Sequence, residues 1–176
     1  MSEAPAPLGH SGELAMRAQF PNAPQWDARG LAQMVRPEIG AGLARFIEGL
    51  PFFFIATASP DGACDCSFRG HEERADGTPL PALKVVDPRT IVFPDFPGNG
   101  LFNSLGNILV NPHIGMLFMD FARQRRARVN GRAGLHRANP AARAIWPMAE
   151  AVVTVEVVEA YGNCAARIPR LVPAAG

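Results

Sequence analysis

Charge is scarce in this chain, and what there is nearly cancels. Seventeen Lys and Arg residues stand against sixteen Asp and Glu, leaving a net charge of +1 over 176 residues. That balance gives no electrostatic case for a nucleic-acid partner or an acidic membrane surface. Long apolar runs are also missing, and none reaches the length of a membrane span. The start, MSEAPAPLGHSGE, has no basic region followed by an apolar one, so no secretory leader is expected and a cytoplasmic location is. Cysteines number three, and an odd count argues against a disulfide framework. Cys64 and Cys66 stand two apart on a predicted strand and so face the same way, but no second Cys or His pair at ligand spacing accompanies them. Two small thiols in a reducing compartment is the simpler reading, and no metal site is expected. The histidines are scattered at positions 10, 71, 113 and 136, none paired at metal spacing. There is no G-x-S-x-G elbow, no HExxH and no complete P-loop. Asp65, Ser67 and His71 lie near one another in sequence, but a triad needs partners converging from separate elements. No catalytic acid or base stands out.

What is present suits one globular domain. Apolar residues make up 48% and charged residues 19%, enough to fill a core. Residues 1–36, rich in Pro, Gly and Ala, read as an N-terminal arm. Short helices are predicted near Glu13–Gln19 and Asp27–Val35, with Asp27 as an N-cap. The domain proper then runs over 37–176. Pro37 and Glu38 give helix-start signals, and Ile39, Leu43, Phe46, Ile47 and Leu50 fall on one face. Strands are predicted at Phe52–Ala58 and Ala63–Arg69 around the turn Ser59-Pro60-Asp61-Gly62, and at Ala82–Val86 and Thr90–Phe93 around Asp87-Pro88-Arg89. Gly70–Pro81 reads as a loop. Further strands follow at Ile114–Phe121, in RARVNGRAGL past Gly131, and at Ala151–Ala160, with a helix after Asn139-Pro140 and an irregular tail YGNCAARIPRLVPAAG. About seven strands, mostly antiparallel and joined by short turns, with two or three flanking helices, predict a mainly β barrel rather than a doubly wound sheet.

The stretch Ile91–Pro112 carries the strongest chemical signal. It reads as strand, glycine turn and helix start, which together form an anion site: the first N–H groups of a helix lack internal partners and its dipole favours negative charge. Gly98 and Gly100 allow close approach, and Asn99, Asn103 and Ser104 add donors. Among the cations, Arg69 ends the second strand. Lys84 lies inside an apolar strand, either turned outward to solvent or facing an anion.

Taken in order, GHSGELAMRAQ, FFFIATASPDGACDCSFRG, LKVVDPRTIVF, DFPGNGLFNSLGNILVNPHIGMLFMDF, RARVNGRAGL and YGNCAARIPRL resemble the pyridoxamine 5′-phosphate oxidase-like family, the FMN-binding split barrels, and in particular its flavin-nucleotide-binding branch. The resemblance implies a split β-barrel that binds FMN between two subunits of a homodimer. It places Lys84 at the FMN phosphate and Pro94 and Asp95 against the flavin. Asn103 and Ser104 stand where the family has an Arg-Lys pair, so the phosphate would rest more on Lys84, Arg69 and backbone amides. Arg126 stands where a family glutamine touches the flavin ring. Arg167 would reach the neighbouring subunit's cofactor. The basic, Trp-containing tail of the oxidases proper is absent from YGNCAARIPRL, which argues against pyridoxamine phosphate oxidation. The expected function is therefore an FMN-dependent oxidoreductase acting on a small molecule. The alternative is a binding module without turnover that holds flavin, F420 or haem, with His71 and His113 as the available axial ligands for haem.

Overall fold

The computed structural model describes residues 9–24 and 26–172. Residues 1–8 of the predicted arm and 173–176 of the tail lie outside them. The chain divides into two compact units, with the boundary between Val35 and Arg36. In the first unit, α1 (Ser11–Gln19) starts at a capping box, in which His10 accepts from the backbone and Glu13 reaches back to the cap. α2 (Ala28–Met34) starts at Asp27, whose carboxylate accepts from the Gly30 N–H at 2.6 Å.

In the second unit, α3 spans Ala41–Glu48, four residues later than the sequence predicts. The Ile39 N–H is bonded to the Pro88 carbonyl at 2.7 Å, and Arg36 forms a bridge with Ala160. Those bonds hold residues 36–39 out of the helix, although Ile39 still reaches the core. The strands are β1 (Phe52–Ala58), β2 (Cys64–Gly70), β3 (Lys84–Asp87), β4 (Thr90–Asp95), β5 (His113–Asp120), β6 (Arg125–Arg137) and β7 (Ala151–Asn163); α4 (Asn103–Val110) follows β4 and α5 (Pro140–Ile145) follows β6. All seven strands join one antiparallel sheet in the order β2-β1-β5-β6-β7-β4-β3.

β1 and β2 form the predicted hairpin. Ser59 accepts the Ala63 N–H at 3.0 Å, and Gly62 takes a positive φ of 90° that a side chain would disfavour. β6 and β7 are longer than predicted. β6 continues past Gly131 through a bulge, and its first half pairs with Tyr161, Gly162 and Asn163, which turns the start of the expected irregular tail into strand. Inward residues alternate along the strands. Phe53, Ile55, Ile91, Phe93, Phe118, Val129, Val153 and Val155 form the core with Leu105 and Ile108 of α4. A smaller cluster surrounds Trp146, whose indole N–H donates to the Pro81 carbonyl at 2.6 Å. No ladder joins β2 to β3 among the described residues, yet Arg69 of β2 touches Asp95 at the end of β4. The sheet therefore curls on itself without closing, which is the split barrel. No helix among the described residues is long and apolar enough to cross a membrane.

Candidate functional site

The curl creates a cavity of about 250 Å³ between β2, the end of β4 and the start of α4. On β2, Asp65, Ser67 and Arg69 are successive odd positions and share one face, while Cys64, Cys66 and Phe68 take the other. From the other side come Asp95 and the turn 96–102. Gly100 holds φ +75° and Asn99 accepts the Leu101 N–H at 3.1 Å. Phe102, the N-cap of α4, sits in the left-handed region at φ 51°. A left-handed non-glycine residue costs roughly 1–2 kcal/mol. No side chain caps the helix, and its first residues, Asn103, Ser104 and Leu105, line this end of the cavity.

Two polar pairs organise the walls. Ser104, 4% exposed, lies 2.5 Å from Asp65 Oδ2 and 3.0 Å from Ser67 Oγ. An ionised carboxylate only accepts, so Ser104 donates to Asp65 and Ser67 donates to Ser104. Arg69 Nη1 donates to Asp95 Oδ1 at 2.6 Å, with side chains 20% and 13% exposed. Arg69 Nε is buried and has no partner among the described residues. A buried N–H without an acceptor is costly.

Of the residues the sequence singles out, Arg69, Asp95, Asn99, Asn103 and Ser104 line this cavity; Lys84, Pro94, Arg126 and Arg167 do not. Lys84 sits opposite Val92 on β3, and its ammonium lies 3.5 Å from Glu48 Oε1, which also accepts the Val85 N–H. Its ammonium lies beside the end of α3 and outside this cavity. Pro94 is buried in β4 opposite Val152. Arg126 stands on β6 opposite Asn163, with its Nε buried and unpartnered. Arg167, at φ 65°, is exposed in the tail. The residues that sequence reading set aside are Asp65 and Ser67. Their signal was the i, i+2, i+4 spacing with Arg69, once β2 is recognised as one wall of a site. Neither His71 nor His113 lines the cavity, and no group of three metal-ligating side chains occurs among the described residues.

The family model for pyridoxamine 5′-phosphate oxidase matches residues 40–164, a span that contains every wall of this cavity. The chain belongs to the pyridoxamine 5′-phosphate oxidase family. Solved structures agree on the fold. HupZ of Group A Streptococcus superposes with a TM-score of 0.53 at 19% identity, covering 70% of this chain and 93% of that one. A candidate pyridoxamine 5′-phosphate oxidase from Lactobacillus delbrueckii gives 0.54 at 15%, covering 72% and 95%. An FMN-binding protein from Syntrophomonas wolfei gives 0.50 at 8%, covering 88% and 98%. A comparison with curated proteins gives no match. Family members are commonly dimeric and commonly bind flavin. The chain's own donors fit the phosphate end of such a cofactor in kind: the Arg69 guanidinium, a helix start without a side-chain cap and two amide side chains. The carboxylates of Asp65 and Asp95 stand against it in charge.

Proposed function

We propose that this protein is an FMN-binding flavoprotein. The phosphate end of the cofactor enters the cavity between β2, β4 and α4, and the flavin serves an oxidoreductase reaction on a small molecule other than pyridoxamine phosphate. The observation that carries the reading is the part-exposed guanidinium of Arg69 in a cavity that also holds an uncapped helix start and a glycine turn. Arg69 keeps Asp95 on Nη1, which leaves its other terminal nitrogen, Nη2, to donate to a phosphate or ribityl oxygen. Bound flavin supplies the hydride and electron chemistry. This chain supplies the anchor, the wall and the exclusion of water.

A homodimer belongs to the same reading. The face of the sheet away from the core carries Phe52, Phe54, Phe68 and Phe121 in mutual ring contact, with Phe68 60% exposed. An exposed aromatic patch of this kind favours a second copy as its cover. Sedimentation equilibrium should give twice the chain mass, and a monomer at micromolar concentration would remove the dimer from the account.

The test of the cofactor is the visible spectrum of the purified protein, followed by denaturation and identification of the released molecule. Absorption near that of oxidised flavin and release of FMN are expected. NAD(P)H bleaching of that absorption then separates an oxidoreductase from a holder without turnover. A colourless protein that also fails to take up added FMN contradicts the reading.

A further inference from the structure

The cavity holds one cation and two carboxylates, so it carries a net charge of −1 before any ligand enters. Asp95 is neutralised by Arg69 at 2.6 Å. Asp65 has no ion pair among the described residues; its partner is the Ser104 hydroxyl, in the first turn of α4. That hydrogen bond reaches across 39 residues and sets a carboxylate beside the helix end that would otherwise attract an anion. The chain has therefore placed its own negative charge where a phosphate would be drawn. A phosphate monoester carries about −1.5 to −2 at neutral pH. Riboflavin has the same ring and ribityl chain with no charge at the end. Ser67, Ser104, Asn99 and Asn103 can exchange hydrogen bonds with its hydroxyls at no electrostatic penalty.

We infer that Asp65 is a specificity-determining residue that lowers the site's preference for the phosphorylated flavin, so that FMN is held exchangeably and riboflavin is accepted at comparable affinity. The inference rests on the flavin reading above. Its geometric basis is the pairing of Asp65 with Ser104 against the single, already engaged guanidinium of Arg69.

The experiment is a pair of fluorescence titrations, with FMN and with riboflavin, on the full-length wild type and on Asp65→Asn. The amide keeps an oxygen for the Ser104 hydroxyl, so the hairpin and α4 stay tied; an unchanged melting temperature checks this. Wild type should bind the two flavins within about tenfold of one another, and Asp65→Asn should tighten FMN by about tenfold while riboflavin changes less than about threefold. A second measurement needs no variant: raising salt from about 0.05 to 0.5 M should shift wild-type preference toward FMN, because screening weakens a net repulsion. A wild type that prefers FMN more than about a hundredfold, with no change in Asp65→Asn, overturns the role of Asp65 and leaves the flavin reading standing. Salt that selectively weakens FMN overturns it equally. Failure of both proteins to bind either flavin overturns the flavin reading and the inference together.

Discussion

At the scale of single residues, position 131 shows how little room the barrel leaves. Gly131 sits at the bulge between β6 and β7, and a Cβ there would lie 2.2 Å from the Glu156 carbonyl oxygen and 2.9 Å from Val155 Cγ1. Backbone cannot yield as a flexible side chain would. Gly131→Ala should destabilise the fold by about 1–3 kcal/mol or more, read from urea denaturation. Cys164 is distinctive in another way. The Ala166 N–H, and after it the Arg126 guanidinium, hold its thiol below the ordinary cysteine value. Of three exposed cysteines it should therefore be alkylated fastest at neutral pH, and Arg126→Ala should slow that reaction; peptide mapping after brief iodoacetamide treatment gives the order. At this scale the sequence was partly legible. Asn99, Asn103 and Ser104 could be read as donors beside a glycine turn because the local order strand–turn–helix fixes where their side chains begin. Lys84 could not be placed the same way: a strand lysine can face solvent or an anion, and only the packing of α3 shows it 43% exposed beside Glu48.

At the scale of elements, hairpins were the easiest features to foresee. Turn residues set them locally, as Ser59–Gly62 does for β1 and β2. Boundaries set by distant partners were not visible. α3 starts late because Ile39 is bonded to Pro88, and β7 runs to Asn163 because β6 offers it a partner. The turn between β5 and β6 gives a pH test. The Arg123 N–H, then its guanidinium, hold the Asp120 carboxyl below its usual value, with bonds of 2.9 and 3.1 Å. A carboxyl depressed in the folded state contributes stability that is fully present above its unfolded value and is lost as pH falls through the lower folded value. Asp120→Asn should thus be less stable than wild type at neutral pH, and the gap in melting temperature should close in acid.

At the scale of the whole molecule, the decisive fact is the contact between the first and sixth strands of the sheet order. β2 and β4 are separated by four strands along the ladder, yet Arg69 meets Asp95 at 2.6 Å. Periodicity gives strands and turns give neighbours, but neither gives curvature, so the pairing of Asp65 with Ser104 and of Arg69 with Asp95 emerges only in three dimensions. What sequence could supply at this scale was the ordered set of segments shared with the pyridoxamine 5′-phosphate oxidase family, and the match over residues 40–164 covers the barrel through β7.

The central claim is that flavin is anchored in this cavity by Arg69. Titration of FMN into wild type, Arg69→Ala and Lys84→Ala, followed by flavin fluorescence, tests it most directly, with Arg69→Lys included to separate lost charge from the lost guanidinium edge. Loss of a charge-assisted hydrogen bond of about 1.5–3 kcal/mol predicts FMN affinity at least about tenfold weaker in Arg69→Ala, and Lys84→Ala within about threefold of wild type. Loss of affinity in Lys84→Ala with none in Arg69→Ala would contradict the account and move the phosphate to β3.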